Sequence, residues 1–277
     1  MGIDFIEKIN NLNKKKKNTI AVGLLDKYPE TIKSLKIANH YTNLIIVGPY
    51  NIDGFECIQT DDPDVLIRLV KENKVNAVFR GNFDAIAVDN AIRTNFNYYE
   101  PINSIYLIQI NRVKTLKENI SKVINILPVS PSEDVNIASK IQNIDQVIRL
   151  FNMFEMTPQL GVLSAGKTSD VFIGKVEIDK TLVEAEFLVN WYKNKGYNIK
   201  HFNHQIEYAI IDCNIIICAN AITGNQVLRT LSFFGYTQFL GSITTTLPFI
   251  YGQIAQSFRE WDKSIILLNA YLNKDFM

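Results

Sequence analysis

The sequence predicts an α/β protein built around a largely parallel sheet, and two observations carry that expectation. Short apolar runs rich in Val, Ile and Leu alternate along the chain with amphipathic segments of helical period. The chain has 277 residues, 47% of them hydrophobic and 21% charged. That is enough to bury a sizeable core in one large domain or two medium ones.

The elements follow in order. The amphipathic segment Phe5-Ile6-Ile9-Leu12 ends in Lys14 to Lys17, which reads as a solvated terminus. A nucleic-acid arm would need more basic residues and aromatics around it. Thr19 to Leu25 is a first buried strand, and residues 28–40 place Ile32, Leu35 and Ile37 on a helix. Asn43 to Val47 is a strand stopped by Gly48-Pro49. Asp62-Pro63 opens a helix through Val65, Leu66, Leu69 and Val70, with Pro where its missing N–H costs nothing. Val75 to Phe79 is the next strand and delivers Arg80-Gly81-Asn82-Phe83-Asp84 to a loop, with Arg93 in the helix beyond. Ser104 to Ile110 and Lys122 to Leu127 read as strands, antiparallel or at an edge.

A domain boundary is expected at Pro128-Val-Ser-Pro131, giving one domain of 1–128 plus 250–277 and a second of 129–249. Ser132-Glu133-Asp134 then caps a helix to about Phe154, with Ile137, Ile141, Ile144, Val147, Ile148 and Phe151 on one face. A strand runs into Ser164. A helix over 180–195, a strand-like stretch over 198–210 and a buried strand Asn214 to Ala219 come next. The loop 221–225 starts a helix over 225–234, followed by a strand over 236–243, an unassigned apolar piece at 247–251 and a helix over about 258–273.

Composition excludes several function classes. A formal net charge of +1 offers no general attraction to nucleic acid or acidic membranes. Cys57, Cys213 and Cys218 lie in or beside apolar runs without C-x-x-C spacing, which argues against disulfides and a cysteine zinc site. No apolar run approaches the ~20 residues of a membrane span, and the N-terminus is acidic where a signal peptide would be basic. A reduced, cytoplasmic protein is expected.

Residues 159–169 are the most informative stretch. Gly161 to Thr168 is G-x-x-x-x-G-K-T, the spacing of a nucleotide-binding P-loop. However, Val162 and Leu163 continue a strand, and the residues after Thr168 make an immediate helix poor. The favoured reading is a non-Walker anion loop in which Ser164, Gly166, Lys167, Thr168 and Ser169 supply donors and one cation at a strand end, where α/β sheets take ligands. Arg80, with Gly81 and Asn82, could clamp a phosphate or carboxylate. Ala219 to Asn225 offers Asn220, Thr223 and Asn225 at a helix start, where an anion is favoured. His201, His204 and Glu207 would form a metal trio only on a helix. The alternation from Tyr197 to Ile210 favours a strand that separates the histidines, so no metal is assigned. No nucleophile dyad is visible.

Taken together, Leu163-Ser-Ala-Gly-Lys-Thr-Ser169 after the segment opening at Pro131, Asn214 to Asn220 with Gly224-Asn225, and Gly235 with Gly241-Ser242 resemble the phosphate acetyl/butyryltransferase superfamily. Within it, the chain is similar to the MtxX proteins of methanogens, a methanogenesis marker. The superfamily's Ser-Arg pair appears here as Ser257-Phe258-Arg259, and its carboxylate segment as Ile206-Glu207-Tyr208-Ala209. The resemblance implies a two-domain isocitrate/isopropylmalate dehydrogenase-like, phosphotransacetylase-like fold with an interdomain cleft. Arg80 would face that cleft from one side, and Ser164 to Ser169, Asn220, Thr223, Gly224 and Asn225 from the other. It implies methyl or acyl transfer, with Lys167 and Arg80 neutralising charge, Arg259 as the catalytic candidate at the Ser-Arg position, and Asp84 or Glu207 as general base. Coenzyme A or a phosphorylated metabolite is the implied ligand, and a homodimer or other methyltransferase subunits are the implied partners. The alternative is a non-catalytic metabolite sensor or partner-binding protein on the same fold.

Overall fold

The computed structural model describes residues 5–111, 121–130, 133, 136–172, 175–235 and 237–274. In chain order these form α1 (Phe5–Asn13), β1 (Thr19–Gly23), α2 (Pro29–Ala38), β2 (Asn43–Gly48), β3 (Glu56–Gln59), α3 (Pro63–Lys71), β4 (Ala77–Phe79), α4 (Ala85–Phe96), β5 (Ser104–Ile110) and β6 (Lys122–Leu127). They continue with α5 (Ile137–Met153), β7 (Gln159–Val162), α6 (Val176–Asn194), β8 (Asn198–His201), α7 (Ile206–Asp212), β9 (Ile215–Ile217), α8 (Ala221–Phe234), β10 (Thr237–Thr244), β11 (Ile250–Gly252) and α9 (Asp262–Leu272). The α/β alternation expected from the sequence is present. The chain divides into two compact units, Met1–Ser104 with Leu240–Met277, and Ile105–Phe239.

The first unit holds the strand order β3-β2-β1-β4-β11, all parallel, with the second half of β10 antiparallel to β11. Ile20 to Val22, Leu44 to Val47 and Ala77 to Phe79 are buried, as strands covered on both faces must be. One face packs Leu66, Val88 and Ile92 of α3 and α4 over Ala21, Val47 and Val78. β3 is a short edge strand whose sequence, Glu-Cys-Ile-Gln, contains no apolar run, so nothing in its composition announced it. The unassigned apolar piece resolves into β11, and the last helix starts at Asp262, later than expected. Ser34 of α2 sets that start, its Oγ accepting from the backbone N–H of Trp261 (2.5 Å) and of Asp262 (2.6 Å).

The second unit has the order β5-β6-β9-β7-β8. β5 and β6 pair antiparallel, as expected, while β6, β9, β7 and β8 run parallel. Three expectations need correction. The cap of α5 is Asn136, whose side chain accepts from the N–H of Ser139 at 3.0 Å. Residues 131, 132, 134 and 135 lie outside the described residues, and Glu133 instead turns back to accept from the N–H of Val129 at 2.7 Å. The stretch 198–210 is two elements: β8 stops at His201, the chain turns through Asn203 (φ 56°), and α7 buries Ala209 and Ile210. What read as strand alternation was a strand followed by one face of a short helix. Finally, 221–225 is not loop, because α8 begins at Ala221. Among the described residues, no helix is long and apolar enough to cross a membrane.

Candidate functional site

The carboxyl ends of β6, β9, β7 and β8 share one edge of the second unit, the edge at which parallel sheets take ligands. A cavity of about 220 Å³ opens there. It lies between the start of α5 (Asn136, Lys140), the first half of α6 (Glu177, Lys180, Thr181, Glu184) and the Ala219-Asn220 turn into α8. Lys140 is its anchor. Its side chain is only 6% exposed, and its Nζ donates to Glu184 Oε2 at 2.8 Å and to the Ala219 carbonyl at 2.7 Å. Lys180 is exposed, with Nζ 3.9 Å from Glu184 Oε1. Asn220 caps α8, its Oδ1 accepting from the N–H and Oγ1 of Thr223 at 2.9 and 3.0 Å. The positive end of a 14-residue helix therefore borders the cavity. Burial pushes the neighbouring Cys218 thiol up to about 12 against the opposing influence of Lys140. This is a neutral, inert group.

The loop after β7 is not a P-loop. Gly161 pairs inside the sheet with Lys200 and Ile216. Thr168 to Asp170 form a single 3-10 turn, and α6 begins only at Val176. Ser164 and Gly166 are buried, whereas Lys167, Thr168 and Ser169 are exposed. The Lys167 N–H donates to Asp170 Oδ2 at 2.7 Å, so the loop's own carboxylate occupies a place an anion would take. A side chain on Gly166 would meet Ile178 Cγ2 at 2.8 Å, which explains the glycine without a ligand.

One constellation escaped the sequence. Ser164 Oγ lies 2.9 Å from His201 Nε2, and His201 Nδ1 lies 2.9 Å from Glu186 Oε1. Parallel register causes it: His201 pairs with Val162, which brings the end of β8 beside the first loop residues after β7. Glu186 reaches the ring from α6. Only the register could have revealed this trio, since the three residues share no spacing. The geometry resembles a nucleophile relay, but its surroundings do not complete one. The N–H of Ser164 donates to the Asn203 carbonyl (2.7 Å) and that of Ala165 to Thr181 Oγ1 (3.0 Å), so neither faces an incoming oxyanion. The Ser164 hydroxyl is also within 2.8 Å of the Gly166 carbonyl. The trio fixes the loop, and Thr181 links that loop to the cavity wall.

The remaining residues singled out by the sequence have structural employment. Arg80 is buried, donating from its two terminal nitrogens to the carbonyls of Phe83 (2.8 Å) and Ile254 (2.6 Å). Gly81 has φ +59°, and a Cβ there would lie 1.9 Å from the Gly23 carbonyl. Asn82 Oδ1 accepts from the Leu25 N–H at 2.7 Å. Asp84 caps α4 through the Ala87 N–H at 2.9 Å. Asp89, one turn into α4, has its carboxyl raised by burial, opposed by Arg80 and Arg93. Arg259 stacks over Tyr28, 3.6 Å from the ring centre, and donates to the Gln256 carbonyl at 2.7 Å. Glu207 is exposed in the first turn of α7, His204 sits in the turn before it, and His201 is at a strand end. Among the described residues, no cluster of three His, Cys, Asp or Glu could hold a metal. Gly224 packs where a Cβ would fall 1.9 Å from the Pro128 carbonyl, and Asn225 Nδ2 donates to the Val129 carbonyl at 3.2 Å.

No protein-family model matches the chain. It is 28% identical over 266 residues to the "Putative methyltransferase mtx subunit X" of Methanosarcina mazei, covering 92% of this chain and 91% of the relative. It is 30% identical over 186 residues to an uncharacterized methyltransferase of Methanocaldococcus jannaschii, covering 65% of this chain and 71% of the relative. Its fold is shared with a branched-chain phosphotransacylase from Enterococcus faecalis (TM-score 0.68, 11% identity, 93% and 97% of the two chains). It is also shared with a phosphotransacetylase from Streptococcus pyogenes (TM-score 0.59, 13% identity, 99% of each). With the strand order, the near full-length matches and this shared architecture, the chain belongs to the MtxX family, built on the fold of the phosphotransacylases.

Proposed function

We propose that this chain is a group transferase, or one subunit of a methyltransferase assembly, that holds an anionic group of its substrate in the cavity at the carboxyl edge of the second unit. The observation that carries the reading is the chemistry of that cavity. Lys180 and the start of α8 present positive charge to a phosphate or carboxylate, and Lys140 is held in place by Glu184 and the Ala219 carbonyl. Glu177 on the opposite lip would accept a hydrogen bond from the same ligand. A small, polar, anionic metabolite with a donor group fits best, and a phosphorylated compound or coenzyme A belongs to that class. The methyltransferase names of the relatives support transfer of a one-carbon group, while the shared fold supports acyl transfer. In either case the cavity's part is to bind and orient. The exposed Lys167, Thr168 and Ser169 flank this edge, and an anion bound there would compete with Asp170.

The test is a melting-temperature screen with inorganic phosphate, acetyl phosphate, coenzyme A and S-adenosylmethionine, on wild type and Lys180→Ala. A stabilising compound whose apparent affinity falls about tenfold in Lys180→Ala, the scale of one lost charge-assisted contact, supports the reading. No shift with any of the four, or one that Lys180→Ala leaves intact, refutes it.

A further inference from the structure

A second hollow opens at the amino edge of the first unit's sheet, ahead of β4 and β11, away from the carboxyl edge where parallel sheets take substrates. It measures about 490 Å³, within the range of small-molecule sites. Val70, Val75, Leu247 and Phe249 are buried core side chains that form its floor, and Phe96 packs on Phe249 with ring centres 4.8 Å apart. Its rim carries Lys71, Asn73 and Asn76, all exposed. The end of α3 builds that rim as a Schellman turn. Asn73, at φ 56°, reverses the chain; its N–H donates to the Val70 carbonyl (3.1 Å), and that of Lys74 donates to the Leu69 carbonyl (2.9 Å). Carbonyls that would repel an acceptor at this helix end are therefore already engaged.

We infer that this hollow binds a small monocarboxylate with an apolar body, of the short- to medium-chain fatty-acid class. The charge and the free hydrogen-bonding edges of the rim select that ligand. Lys71 is the one formally charged residue of the lining, and no protein carboxylate pairs with its ammonium among the described residues. The adjacent acid, Glu72, is taken by Lys74 at 2.7 Å, and Asp64 by Arg68 at 3.0 Å. Asn76 Oδ1 accepts from the Thr19 N–H at 2.9 Å, which leaves its Nδ2 donor as the free edge of that amide. A carboxylate meets these donors as a charge-assisted acceptor, while its hydrocarbon covers apolar core that water otherwise wets. An ammonium ligand would meet Lys71 with like charge. Inorganic phosphate would bring no apolar part to lay on the floor. The site uses no residue of the second unit's cavity, so it holds whether or not the chain is a transferase.

Titration calorimetry of the full chain with butyrate, hexanoate and octanoate tests the site. Affinity should rise about fourfold for each methylene added, the scale of one buried CH₂. Hexylamine and inorganic phosphate should each bind at least about tenfold more weakly than hexanoate. Lys71→Gln should weaken octanoate about tenfold, the scale of one charge-assisted contact, and leave the thermal midpoint in place because Lys71 is exposed. A diazirine-bearing octanoate should, on irradiation, mark residues 70–76 or 247–250. No binding of octanoate at millimolar concentration, hexylamine binding as tightly as hexanoate, an octanoate affinity that Lys71→Gln leaves intact, or cross-links confined to the second unit would each overturn the proposal.

Discussion

Removing the Glu184 carboxylate is the most searching perturbation of the cavity. In Glu184→Ala the Lys140 ammonium keeps the Ala219 carbonyl but loses its counter-charge at 2.8 Å, while its side chain remains 6% exposed. Breaking a buried ion pair from one side costs about 3–5 kcal/mol. Glu184 is 22% exposed and faces a cavity that admits water, which sets the expectation toward the lower end, about 2–3 kcal/mol. At roughly 2–4 °C per kcal/mol for chains of this size, the thermal midpoint should fall by about 4–12 °C. Lys140→Met alone should cost a similar amount, and the double variant Lys140→Met with Glu184→Met should recover most of it, because the paired charges are replaced by apolar bulk. Thermal denaturation of the four proteins gives the cycle directly. A Glu184→Ala midpoint within about 1 °C of wild type would mean that Lys140 does not depend on Glu184, and the account of a held, pre-positioned lysine would fail.

Three further expectations follow from the same contacts. Arg80→Ala strands the carbonyls of Phe83 and Ile254 and should cost about 3 kcal/mol or more, while leaving intact any melting-temperature response to a second-unit ligand. A lost ligand response at unchanged stability would restore Arg80 as a binding residue. Ser164 should resist fluorophosphonate labelling, and Ser164→Ala should lower stability by about 1–2 kcal/mol through its lost bonds; a labelled Ser164 would show a nucleophile after all. Burial holds the proton on the Cys213 thiol to about 11 and on Cys218 to about 12, against an ordinary value of 9.0. The folded chain therefore keeps protons that the unfolded chain releases, so this contribution to stability is full below pH 9 and declines as pH rises through that window. Iodoacetamide at pH 8 should modify Cys57 first and reach the other two only in denaturant; equal rates for all three would contradict their burial.

The legible parts of the chain were those in which one local pattern decides the outcome. Val22, Val47 and Phe79 sit in continuous apolar runs, and such runs can only be strands buried on both faces. Asp62-Pro63 announced α3 because a capping carboxylate and a proline at the first turn act on their own neighbours. What was not legible depended on distant partners. The start of α9 is fixed by Ser34, more than two hundred residues away. Arg80 read as an anion clamp because the carbonyl of Ile254 that holds it lies in a different stretch of chain. For the candidate site, Asn220 at the head of a helix was visible from sequence, while Lys140 and Glu184 were not, since a lysine in an amphipathic helix reads as solvated until a neighbouring helix covers it. The Ser164–His201–Glu186 trio needed the β7–β8 register, which no local pattern encodes.

Helix α6 carries Thr181 under the β7 loop, Glu184 on Lys140 and Glu186 on His201 within a turn and a half. A rod that stiff cannot yield at one of these points alone. On the proposed reading, a guest that displaced Glu184 would pull on the Ser164 bend through the same backbone, as a torque on the helix. Amide exchange along residues 164–170 would register that torque even where no atom of the guest reaches them.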